Sequence, residues 1–141
     1  MKIKPFLLLL PLLLATSLVH AQKCDGLSVA FIVDGVNKWE GLSSVEIQRR
    51  EPKTEFSVPG KNSLEGLTLK DLLSPYAKKG TLLLSSCDGS NTSYEVVNLL
   101  ADGNADANIF LTLSKKNFFK LMKTDERKPI LKKVFQLKLI P

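Results

Sequence analysis

The stretch from Leu64 to Val97, L-E-G-L-T-L-K-D-L-L-S-P-Y-A-K-K-G-T-L-L-L-S-S-C-D-G-S-N-T-S-Y-E-V-V, constrains the fold more than any other part of the chain, because three readable elements follow one another in it without a gap. Thr68 suits a helix N-cap, and Asp71 three residues later can reach back toward its amide. Leu69, Leu72 and Leu73 share one side of that helix, joined by Tyr76 a turn later, while Lys70, Lys78 and Lys79 point elsewhere. Pro75 keeps the helix short or kinked, and Gly80 suits the turn into an apolar strand from Thr81 to Cys87. Asp88-Gly89 then turns the chain, and Ser93 to Val97 reads as a strand with Tyr94 and Val96 on one side.

Around this unit the signals are mostly those of strands. A strand apolar on both faces is expected from about 27 to 33, followed by a turn at Asp34-Gly35 and by Trp39 on the next segment. Ser44 to Arg49 reads as a strand with Val45 and Ile47 on one face, and Glu55 to Val58 as another with Phe56 and Val58 inward. Pro59-Gly60 ends it. A further strand is expected at Asn108 to Leu113, and Phe118 to Met122 is readable as either strand or helix. The closing strand, Val134 to Ile140, sets Phe135, Leu137 and Leu139 against Gln136 and Lys138. About eight strands and one short helix make a β-rich α+β domain with mixed or antiparallel sheets, the antiparallel strands keeping one wet face.

The first 21 residues read as a signal peptide, with an uncleaved N-terminal anchor as the alternative. Lys2 and Lys4 form a basic start, Phe6 to Leu14 an apolar run broken only by Pro11, and Val19-His20-Ala21 a cleavage site. The apolar run is shorter than the ~20 residues a spanning helix needs. Residues 22–141 are then one exported domain, periplasmic or secreted, with no membrane span after removal of the leader. His20, the single histidine of the sequence, leaves with that leader. The remaining chain cannot run Ser-His-Asp or Cys-His catalysis or build a histidine-based zinc site.

Cys24 and Cys87 are the two cysteines of the sequence. An even pair in an oxidising compartment is most simply a disulfide, with two free thiols, a metal site or a reactive role as the alternatives. The formal charge is +6 at pH 7, and from Lys115 onward nine Lys or Arg face only Asp125 and Glu126. Such a basic end suits an anionic ligand or an acidic partner, or is simply the solvated face of alternating strands. Nucleic acid is not expected as the partner of an exported chain.

The order of elements resembles the sulfite-oxidase-like molybdopterin-binding family. Leu64-Glu65-Gly66-Leu67-Thr68-Leu69-Lys70-Asp71-Leu72-Leu73 is similar to its "W-x-G-V-P-L-x-D-L-L" segment, and Leu83 to Gly89 to its strand running into "D-G-Y". Phe31 to Gly35, Asn108 to Leu113, Phe118 to Met122 and Lys133 to Leu139 resemble its opening strand, its "N-G" strand, its "R-L-V" element and its closing strand. The resemblance implies that family's fold. It also points to Asp88, in the D-G turn, and Tyr94, just beyond it, as candidate cofactor-binding residues, although an Asp before Gly and a strand tyrosine are also ordinary structural choices.

The departures set the functional expectation. The family holds molybdenum through a cysteine in a "C-x-G-N" segment ahead of the helix, and Val45 to Asn62 contains no cysteine. Cys87 lies after the helix and does not match that ligand. The expectation is therefore a ligand- or partner-binding module without catalytic residues, metal ligands or a required cofactor. Its partner would be a small anionic ligand or an envelope protein. The alternative is a molybdopterin-dependent oxidoreductase or an accessory subunit of one.

Overall fold

The computed structural model of the protein describes residues 24–60 and 63–141. The expected leader, 1–21, lies outside the described residues. Within them nine strands alternate with three short α-helices: β1 Ala30–Val33, β2 Val36–Asn37, α1 Ser44–Arg50, β3 Thr54–Phe56, β4 Leu64–Thr68, α2 Leu69–Leu73, β5 Thr81–Ser86, β6 Asn91–Glu95, α3 Val96–Leu100, β7 Ile109–Leu113, β8 Phe119–Lys123 and β9 Leu131–Ile140. A 3-10 turn, Ala105–Asn108, precedes β7. The protein is thus β-rich α+β with a mixed sheet, but the described residues hold three α-helices where the sequence leads one to expect a single one.

The sheet runs β2-β1-β9-β8-β7-β4-β3, with β5 joined to β9 and β6 to β5. Among the described residues all strand pairings are antiparallel except β1 with β9. The ten-residue β9 is the hub, pairing with β1, β5 and β8. Its register slips opposite Ser85 and Ser86 of β5, so that Val134 and Leu137 both turn inward with Phe135 and Gln136 between them. A simple alternation would have put Phe135 and Leu137 on one face; the bulge breaks that period. Phe135 is left half-buried, a placement that matters for the clefts below.

The main core gathers Phe31, Trp39, Ile47, Leu84, Leu99, Phe119 and Leu137 with other apolar side chains. A smaller cluster of Val58, Phe110 and Met122, flanked by Phe56 and Leu64, seals the β3–β4 end. Phe56 stacks on Phe110 with centroids 4.0 Å apart. The inward placement expected for Phe56 and Val58 therefore holds, although the strand itself is Thr54–Phe56.

Ser44 to Arg50 is a helix and not the expected strand. Ser43 caps it: its Oγ accepts from Glu46 N at 3.2 Å, and Glu46 Oε1 accepts in return from Ser43 N at 3.3 Å. That reciprocal capping box satisfies two of the donors a helix start leaves unpaired. Burial then follows a three-residue step, with Ser44 and Ile47 inside and Val45 exposed. The alternation of Val45 and Ile47 with polar neighbours is coincidental over so short a run.

The unit from Leu64 onward largely behaves as its sequence suggests. Thr68 Oγ1 accepts from Asp71 N at 3.0 Å, and α2 ends just ahead of Pro75. Gly80 has a φ of +108°, and a Cβ there would lie 2.6 Å from Ile140 O. Both facts demand glycine. The second strand of the hairpin closes at Glu95, and Val96 and Val97 open α3, where Val96 and Leu99 are buried three residues apart.

Candidate functional site

Two clefts open on either side of Phe135. The first measures about 500 Å³ and is lined by Ser28, Asn37, Trp39, Glu46, Phe135 and Gln136, together with the backbone near Gly41 and Leu42. The second, about 480 Å³, is lined by Cys24, Cys87, Ser85, Ser90, Asn91 and Phe135. Both volumes fall in the range of ordinary small-molecule sites, ~300–1,000 Å³.

The first cleft is built from the turn that follows β1. Asp34 and Gly35 both hold positive φ, 51° and 76°, as the tightest hairpin turn requires, and the chain folds back through β2. Asn37 then ties the two segments together: its Oδ1 accepts from Phe31 N and from Trp39 N, each at 3.0 Å. With that oxygen taken, the amide nitrogen is the group Asn37 has left to offer. Trp39 is 3% exposed, wedged between Phe31 and Phe119 at centroid distances of 5.1 and 6.4 Å. Its indole Nε1 donates to Glu51 Oε1 at the end of α1, at 3.2 Å. Glu46, through its capping role, is held at the cleft wall with Oε1 accepting from both Ser43 N and Ser43 Oγ.

The second cleft lies over the bridge between Cys24 and Cys87, whose sulfurs are 2.03 Å apart. Cys87 N donates to Lys133 O at 2.9 Å, which places the bridge against β9. The tie spans 63 residues of sequence and anchors the segment 24–29 across the sheet. Ser28, Val29 and Ala30 of that anchored stretch go on to line the first cleft.

Asp88 and Tyr94, the two candidates suggested by resemblance, share the β5–β6 hairpin but line neither cleft. Asp88 is exposed, and its Oδ1 accepts from Ser90 N at 2.9 Å. That backbone bond, helped by the Ser90 hydroxyl, holds the carboxyl below its usual range. Tyr94 pairs with Leu82 and packs its ring on the main core. Burial pushes its hydroxyl above the usual value, against the opposing effect of the Thr92 hydroxyl, and the carboxylates of Asp106 and Glu126 push it further.

None of the nine basic residues from Lys115 onward lines either cleft. Lys133 lies over the Phe118 ring, 5.3 Å from its centroid, and Lys38, next to Trp39, lies over Tyr76 at 5.5 Å. Among the described residues no group of three His, Cys, Asp or Glu side chains is placed to hold a metal ion, and no helix is long and apolar enough to cross a membrane.

Of the polar members of the first cleft, Asn37 and Gln136 carry no motif, and sequence reasoning does not find them. The one usable signal is Ser43-x-x-Glu46, a capping-box pattern that places a helix, and hence a wall, shortly after Trp39. Comparison with family models, with curated proteins and with solved structures finds no match to this chain.

Proposed function

We propose that this protein is an exported binding module with the sulfite-oxidase-like fold, working without a molybdenum cofactor and using the cleft beside Trp39 to hold a small ligand. The observation that carries this reading is the Cys24–Cys87 bridge. A molybdenum ligand of the soft type must be a free, deprotonated thiolate. The sequence has two cysteines, and each is engaged by the other. The residues present therefore do not fit a thiolate-held molybdopterin. The clefts add to the mismatch, since among the described residues neither is lined by a lysine or arginine to meet the pterin phosphate. The same lack of basic lining turns the reading away from a small anion in these clefts.

The fold assignment rests on the order of elements, from an opening strand through the Thr68-capped helix and the Asp88-Gly89 turn to the long closing strand. Export rests on the leader pattern of residues 1–21 and on the bridge itself, which belongs to an oxidising compartment.

Protein purified from its native compartment tests the reading. We expect no thiol to react before reduction and two to react after it, with molybdenum far below one atom per chain. Stoichiometric molybdenum with a bound pterin, or a thiol that titrates without reductant, overturns it in favour of an oxidoreductase.

A further inference from the structure

We propose that the cleft beside Trp39 takes a neutral, hydroxyl-rich ligand, a mono- or oligosaccharide; this rests on the reading of that cleft as the binding site. Each wall has only certain groups left to offer. Asn37 Oδ1 is filled by two backbone N–H groups, so the amide is locked with its NH₂ as a donor. Glu46 Oε1 is filled by Ser43, which leaves Oε2 as the acceptor of a charged carboxylate. Gln136 is half-buried, its backbone engaged with β1 and β5, and its carboxamide can serve either way. Ser28 adds a hydroxyl at the rim.

A ligand must therefore satisfy a fixed donor and a fixed anionic acceptor in the same cleft. An ammonium group carries donors only, so it meets Glu46 and leaves the Asn37 amide unpaired. A phosphate or carboxylate meets Asn37 but faces the Glu46 charge, with no cation in the described lining to offset it. A hydroxyl is both donor and acceptor, and satisfies both. Several hydroxyls on one ring do so at once, and the ring's C–H faces suit the apolar surface of Val29, Leu42 and Phe135. The cost of leaving a half-buried polar group unpaired once a ligand covers it is what makes such a site discriminate.

Trp39 is the single tryptophan of the sequence and lines the cleft, so its emission reports occupancy directly. The intact mature chain is titrated with glucose, galactose, N-acetylglucosamine and their β-1,4-linked dimers, and in parallel with inorganic phosphate and n-butylamine, with calorimetry as the second readout. We expect a saturable emission change with at least one neutral sugar and none with phosphate or the amine. Gln136→Ala and Glu46→Gln should each weaken the sugar about tenfold or more, the loss of one well-made bond to a charged or desolvated partner. Glu46→Gln keeps an oxygen for the Ser43 cap, and thermal melts confirm that both variants remain folded. Saturation by phosphate or by the amine, with no response to sugars, overturns the ligand class while leaving a small-ligand cleft in place. Sugar binding indifferent to both substitutions overturns the site. Silence toward every probe overturns the class and the small-ligand reading together.

Discussion

The β5–β6 hairpin and the segment from β1 to α1 each wall one cleft, yet they are specified in different ways. In the hairpin the turns and the β5–β6 register are local, although β5 also pairs with β9 and Cys87 is bridged to Cys24. Gly80 takes its positive φ, Asp88 Oδ1 catches Ser90 N two residues on, and Thr81 to Ser85 pair in register with Glu95 to Asn91. In the β1–α1 segment the structure depends on partners far away in sequence. Trp39 needs Phe119, Ser44 Oγ donates to Asn117 O, and Ser28 bridges to Ser43. The hairpin is readable and chemically plain, while the segment that hides from pattern-reading carries the fixed polar groups.

That contrast can be broken most directly at Trp39. Trp39→Ala removes a side chain 3% exposed from the junction of Phe31, Phe119 and α1, and should cost ~3–5 kcal/mol by chemical denaturation. A loss below ~1 kcal/mol would mean the segment is held by its local turns after all, as the hairpin is. The paired change Cys24→Ser with Cys87→Ser comes next. Opening a tie across 63 residues should cost ~4 kcal/mol on the chain-entropy account, read as a drop in denaturation midpoint that reductant reproduces in the unmodified protein.

Ser43→Ala is a smaller and purely local probe, expected to cost ~0.5–2 kcal/mol through loss of the cap. If it instead matched Trp39→Ala, the helix start would be the keystone of the first cleft. Two titrations in the hairpin complete the series. The carboxyl of Asp88 is lowered in the fold, so its contribution is present above the ordinary value of 3.8 and fades as pH falls below it. Asp88→Asn should flatten that acid limb of the stability curve relative to the parent. The hydroxyl of Tyr94 is raised, so the fold favours its neutral form. That contribution is present below the ordinary value of 10.0 and is lost as pH climbs past it, and Tyr94→Phe should abolish this alkaline limb. An alkaline limb unchanged in Tyr94→Phe would place the titrating group elsewhere.

What could be read from the chain alone follows from interactions that close within a few residues. Thr68 and Asp71, Gly80, Asp34-Gly35 and Asp88-Gly89 each place a cap or a turn by short-range sterics and hydrogen bonds, so the α2–β5–β6 unit is legible. The β-rich α+β class follows from those turns and the alternating apolar runs between them. The tertiary structure alone decided the rest. It buried Ile47 beneath the helix at Ser44–Arg50, whose Ser43-x-x-Glu46 cap was itself a local signal masked by a two-residue alternation. It set the slip in β9, opposite Ser85 and Ser86, that leaves Phe135 between two clefts on the strand that β1, β5 and β8 share. It also turned Asn37, Glu46 and Gln136 toward a common space, a convergence that no spacing along the chain encodes.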